Sequence, residues 1–174
     1  VLYIPSGFYN KKLIRKELDD FYFKQSVFKK DKSLKSLIFT ELRENNFYIG
    51  QSKDYETNLV RMLEYLEKIE IVDEDFTNAI LLRESESSTK FSDQLAFPHV
   101  KSNEFILSLG LFPNSQIKVI IIVGIPSDDD TLIINLYDEI VTLATDNDFL
   151  NNVDKVKNYR QLMEFIIKDT KLFR

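Results

Sequence analysis

KVIIIVGIP, residues 118–126, is the stretch whose reading decides the fold. From Val119 to Ile125 it carries no polar side chain and is β-branched almost throughout, so an extended strand here has two hydrophobic faces. A strand with one solvated face alternates apolar and polar residues. One that is apolar on both faces needs cover on both sides, which an α/β protein supplies with helices. Pro126 has no N–H for a sheet ladder and ends the strand, and Asp128 to Asp130 then prepare a helix start.

Working outward, Ile133, Leu136, Tyr137, Ile140 and Ala144 make a helical stripe. Phe149 to Val156 reads as a short helix, and Leu162, Met163, Ile166 and Ile167 as a final one. Upstream, Glu104 to Leu111 is a second strand and Gln94 to His99 a third. Asp73-Glu74-Asp75 caps a helix containing Phe76, Ala79 and Ile80 that should end near Arg83. Leu59, Met62, Leu63, Leu66 and Ile69 form the stripe of another, with Ser52 as its expected N-cap. Leu37 to Ile49 reads as one or two extended segments closed by Gly50. The expected fold class is therefore α/β, a mixed β-sheet flanked by helices on both sides.

The first residues read differently. Val1 to Ile4 is a short apolar strand stopped by Pro5-Ser6-Gly7, and Leu13, Ile14, Leu18, Phe21 and Tyr22 recur at helical spacing. Lys24 to Ser36 is polar and basic, a linker with a boundary near Ser33. The expected organisation is a tail of a preceding domain plus linker over residues 1–33 and a main domain over 34–174. The opening VLYIPSGFYNKK has neither an initiator Met nor the layout of a secretory signal, as expected of a segment from a longer polypeptide.

Composition narrows the function classes. A net charge of −5, from 23 basic and 28 acidic side chains, argues against direct nucleic-acid binding by this segment. With no cysteine there is no disulfide framework, thiolate metal site or Cys nucleophile. The longest apolar stretch, Val119 to Pro126, falls well short of the ~20 residues of a membrane span. No Gly-x-Ser-x-Gly elbow supports a serine hydrolase.

The chain has 1 histidine, His99, in AFPHV. Pro98 fixes the backbone entering it, and the strand-like Ala96-Phe97 places the imidazole at the end of an element, where α/β sheets commonly bind ligands. Upstream lie Arg83 and the hydroxyls Ser87, Ser88 and Thr89. A guanidinium and hydroxyls are the donors that a phosphorylated imidazole needs. On spacing alone, a structural histidine and a helix-terminal arginine beside a solvated serine loop explain these residues at least as well.

RESESSTKFSDQLAFPHV, residues 83–100, resembles the active-site segment of the fructose/mannitol-type enzyme IIA domains of the bacterial sugar phosphotransferase system. Arg83-Glu84, Ser88-Thr89 and Phe97-Pro98-His99 match that pattern in order and spacing, and the resemblance extends from about Leu34 to Arg174. It implies a cytoplasmic phosphohistidine carrier rather than a turnover enzyme. His99 would be the phosphoacceptor, Arg83 would neutralise charge, and Ser88 and Thr89 would donate to phosphoryl oxygens. No metal or cofactor is implied. The implied partner is phosphorylated HPr or a IIB-type donor, and a homodimer is left open.

Two departures shape the expected role. The glycines usual before the apolar-Pro-His step are replaced by Phe91-Ser92-Asp93-Gln94, and Thr131-Leu132-Ile133 lacks the second histidine of transport-competent members. Similar domains, often degenerate, follow a IIB-like domain at the C-terminus of sugar-responsive antiterminators and activators, and VLYIPSGFYNKKLIRKEL resembles the end of such a IIB-like domain. The favoured expectation is a regulatory domain with further regulatory modules upstream. The alternatives are a working transport IIA and a degenerate interaction module that is never phosphorylated.

Overall fold

Twenty residues, Lys11–Lys30, form helix α1. The helix continues through the stretch expected to be linker because Lys24 pairs with Asp20 one turn earlier at 3.2 Å, and Lys29 and Lys30 lie in the last turn, where cations favour the negative helix end. The computed structural model describes residues 11–30, 36–126 and 130–173. The expected strand Val1 to Ile4 and the aspartates Asp128 and Asp129 lie outside them. The chain divides into two compact units, residues 1–35 and 36–174.

The second unit opens with a helix, not with the expected extended segment. Ser36 caps α2 (Leu37–Glu41) by accepting from the Phe39 N–H. Glu139 completes the helix start, accepting from the Ser36 hydroxyl at 2.5 Å and from the Leu37 and Ile38 N–H groups at 2.8 and 3.2 Å. A 3₁₀ turn at Glu44–Asn46 then leads to strand β1 (Phe47–Ile49).

Two helices follow, α3 (Tyr55–Lys68) and α4 (Glu74–Glu86). The α3 cap is Asp54, which accepts from the Thr57 N–H; Ser52 instead accepts from the Asp54 N–H at 3.1 Å. Asp73 caps α4 as its sequence indicates. The remaining elements are β2 (Leu95–Ala96), β3 (His99–Lys101), β4 (Ile106–Leu111), β5 (Val119–Ile125), α5 (Asp130–Ala144), α6 (Asn147–Asn151) and α7 (Tyr159–Asp169).

The mixed sheet runs β1-β4-β5, with β2 and β3 both on the far side of β5. Strands β1 and β4 are parallel, β4 and β5 antiparallel, and β2 and β3 each parallel to β5. All seven residues of β5 are buried, as its two apolar faces require. Ile120 and Ile122 join Leu59, Met62, Leu63 and Leu66 of α3 and Phe76 and Ile80 of α4 in one apolar cluster. The alternate row, Val119, Ile121 and Val123, is equally inaccessible and faces the other layer. Among the described residues no buried side-chain N or O lacks a hydrogen-bond partner, and no helix is long and apolar enough to cross a membrane.

Gly110 on β4 allows this packing. A Cβ there would lie 2.7 Å from the buried Phe112 ring and 2.8 Å from the Met62 sulfur. Gly110→Ala should therefore cost about 1–3 kcal/mol by overpacking, read as a lower melting temperature in thermal unfolding. Burial pushes the Glu139 carboxyl above its ordinary value, against the hydrogen bonds from Ser36, Leu37 and Ile38. Folded Glu139 thus holds its proton more tightly than the unfolded chain does, where a value of ~4.3 applies. That contribution is complete below the unfolded value and is lost as pH rises through the folded one. The melting-temperature advantage of the native chain over Glu139→Gln should shrink across that window and level off above it.

Candidate functional site

The registers Ala96 with Ile120 and His99 with Val123 keep one offset along β5, so β2 and β3 are one edge strand interrupted at Phe97-Pro98. Pro98 has no N–H to give to β5, and the Phe97 N–H, on the outer side of the strand, donates to the Thr89 carbonyl at 2.9 Å. The Pro98 carbonyl still accepts from the Val123 N–H at 3.0 Å, which restores the ladder at once. His99 consequently opens β3 instead of closing the strand before it, as its sequence context had suggested.

The interruption orients the imidazole. His99 Nδ1 lies 2.8 Å from the Phe97 carbonyl oxygen, which can only accept, so Nδ1 carries the hydrogen in the neutral ring. Nε2 is left with its lone pair, and the Tyr137 hydroxyl stands 3.3 Å from it. The Phe97 ring stacks on the imidazole at 4.4 Å between centroids, and Tyr137 meets Phe97 edge-on at 5.3 Å. The half-buried ring is thus fixed on three sides.

His99 lies on a cleft of about 540 Å³ between α4 and α5 at the sheet edge, lined also by Arg83, Lys101, Tyr137 and Ile133. Among the described residues the lining has two cations and no carboxylate, a surface suited to an anion. Arg83 projects from the last turn of α4, where its Nη1 donates to the Ser87 carbonyl at 3.4 Å. Among the described residues no three His, Asp or Glu side chains come close enough to share a metal.

Of the residues singled out by sequence, the cleft brings together His99 and Arg83. Ser88 is exposed and accepts from the Lys90 N–H at 3.3 Å. Thr89 is buried and donates its hydroxyl to Glu84, which also accepts from the Thr89 N–H at 3.2 Å and from the Tyr55 hydroxyl at 3.0 Å. Burial, with the Glu84 charge adding to it, raises the Tyr55 phenol well above its ordinary range. Thr89 therefore ties α4 to the segment ahead of His99 and offers no hydroxyl to the cleft.

Sequence reading missed Tyr137 and Lys101 as site residues. Lys101 had a usable signal, since residues two apart on a strand share a face. Tyr137 had been absorbed into an apolar helical stripe, and its hydroxyl was the unused clue.

The family model for the "Phosphoenolpyruvate-dependent sugar phosphotransferase system, EIIA 2" matches residues 40–169. The chain belongs to this family. Among solved structures, IIA mannitol from Escherichia coli superimposes with a TM-score of 0.59 at 14% identity, covering 72% of this chain and 99% of the other. The nitrogen regulatory protein IIA-Ntr from Neisseria meningitidis gives 0.61 at 14% identity, covering 75% and 99%. A complex of enzyme IIA mannitol with phosphorylated enzyme IIB mannitol from Escherichia coli gives 0.57 at 14%, covering 72% and 96%. A search of curated protein sequences returns no match. At these identities the solved structures establish the shared fold, a mixed sheet with flanking helices.

The hydrogen bonds around Glu84 carry their own test. Thr89→Val and Tyr55→Phe each remove one donor to a part-buried carboxylate and should each cost about 1–3 kcal/mol. Because both donors serve the same carboxylate, a double-mutant cycle by chemical denaturation should show non-additivity of at least ~0.5 kcal/mol.

Proposed function

We propose that this EIIA-type chain is a phosphoacceptor in which Nε2 of His99 receives the phosphoryl group of phosphorylated HPr or of a IIB-type donor. The observation that carries this reading is the Nδ1 contact with the Phe97 carbonyl at 2.8 Å, which leaves Nε2 as the nucleophilic nitrogen on a cationic cleft. The Nε2 lone pair forms the new N–P bond while the donor's bond to phosphorus breaks and its electron pair returns to the donor atom, the imidazole nitrogen of HPr or the nitrogen or sulfur of a IIB-type donor. Nδ1 keeps its hydrogen throughout, and the Phe97 carbonyl stabilises the positive charge that the ring gains. Arg83 and Lys101 offset the charge on the transferring group, a step that depends on positioning and electrostatics. Thr89 contributes by anchoring the backbone ahead of His99. No metal or cofactor enters this scheme.

The role we infer is regulatory: a cytoplasmic domain of a sugar-responsive transcriptional regulator whose phosphorylation reports carbohydrate supply. The segment Thr131-Leu132-Ile133 supports this, because it supplies the cleft with Ile133 where a second, relaying histidine would serve transport. In this reading residues 1–33 close a preceding IIB-like domain, other regulatory modules lie upstream, and the added charge alters an interface between them. The transport reading draws on one observation, the neighbouring IIA mannitol structure held in complex with phosphorylated IIB.

Incubation with phosphoenolpyruvate, enzyme I and HPr should label the native chain. His99→Ala should take no label, and Arg83→Ala should be labelled about 10²-fold more slowly. Label retained by His99→Ala would remove the phosphoacceptor reading. Rapid discharge of the labelled chain to an isolated IIB domain would replace the regulatory role with transport.

A further inference from the structure

We propose that the Tyr137 hydroxyl is the phosphoryl-holding group of this site: it guards the Nε2 lone pair in the resting chain and donates to a phosphoryl oxygen once Nε2 is phosphorylated. The proposal rests on the reading of His99 as phosphoacceptor and assigns the partner that keeps the phosphoryl group in place.

The argument begins with the tautomer. With the Nδ1 hydrogen directed to the Phe97 carbonyl, Nε2 can only accept, so the phenol 3.3 Å away is the donor. A phosphorus atom bonded to Nε2 occupies the direction that the phenol hydrogen now fills. The hydroxyl must then turn aside, and the acceptors nearest to it become the oxygens on that phosphorus. Tyr137 can make this adjustment on a supported ring, since it sits edge-on to Phe97 at 5.3 Å and to His99 at 6.0 Å. No proton is transferred: the phenol keeps its hydrogen before and after, and the N–P bond forms and breaks at His99 alone. Arg83 and Lys101 provide charge from α4 and β3, whereas Tyr137 provides a neutral directed donor from α5. Ile133, one helical turn earlier on α5, offers the cleft no polar atom, so among the described lining residues of this helix the directed donor is Tyr137.

Tyr137→Phe tests this, because it removes the hydroxyl and keeps the ring that packs on Phe97. The full chain has a single histidine, so ¹⁵N-edited NMR of the imidazole is unambiguous. In the resting chain the Nε2 resonance should move toward that of an unbonded pyridine-type nitrogen in the variant, while Nδ1 stays protonated. After phosphorylation by phosphoenolpyruvate, enzyme I and HPr, the variant should lose phosphate about tenfold faster than the native chain, the loss of one hydrogen bond to a charged group, with a displaced ³¹P resonance. Phosphate loss equal to or slower than that of the native chain would overturn the proposal. So would an unchanged Nε2 resonance. If the native chain accepts no phosphate while its ¹⁵N pattern shows the Tyr137 bond, the phosphoacceptor reading itself fails and takes this one with it, a result distinct from the previous two.

Discussion

The hydrogen bond between His99 Nδ1 and the Phe97 carbonyl is the constraint on which the site depends, and it exists because the edge strand is interrupted there. The Gln94 and Pro98 carbonyls both accept from β5, so the Phe97 N–H and carbonyl between them point to the outer side of the strand. Pro98 lacks an N–H, so the ladder to β5 loses one bond there without changing register, while the Phe97 N–H on the outer side is taken up by Thr89. A two-residue break in an edge strand thereby converts a structural carbonyl into the group that selects the imidazole tautomer. On its other side the strand meets, among the described residues, only the isolated antiparallel bridge between Lys90 and Ala96.

The same local geometry determines the charge of the cleft. Arg83 and Glu84 are adjacent, yet consecutive helix positions are separated by about 100° around the axis, so the two side chains leave α4 in different directions. Arg83 reaches the cleft, while Glu84 is held by Tyr55 and by both the hydroxyl and the N–H of Thr89. Those bonds satisfy a carboxylate that would otherwise compete with an incoming anion for the guanidinium. Lys101 adds its charge through the strand period of two that relates it to His99. A cationic surface results in a chain whose net charge is −5.

Much of this architecture is legible in local periodicity. KVIIIVGIP announces a strand buried on both faces, and the stripe from Leu59 to Leu66 marks the inner face of α3, because burial repeats at the period of the element itself. What periodicity does not reveal is a partner far along the chain. The start of α2 is completed by Glu139, 102 residues beyond Leu37, and the one local signal beside it is the cap Ser36. The cap of α3 was misplaced by two residues because Ser52 and Asp54 are both competent caps, and only the backbone path selects Asp54. At the site one motif named Arg83, Ser88, Thr89 and His99 alike; the fold brings Arg83 and His99 to the same cleft, whereas packing sends the Thr89 hydroxyl to Glu84.

Helix α5 shows why the position of Tyr137 is a property of the whole domain. Tyr137 and Glu139 lie two residues apart, about 200° around the helix, so one faces the edge strand while the other faces the start of α2. Leu136, Ile140 and Leu143 bury the side between them. The helix is therefore fixed in rotation by two polar contacts and one apolar row, and a turn that improved one contact would weaken the others. A hydroxyl held in this way meets Nε2 from a defined direction, and the carbonyl at Nδ1 meets the ring from its own fixed strand. Two supports that select the same tautomer from opposite nitrogens leave the imidazole little freedom except at the cleft, the side on which a phosphodonor would approach.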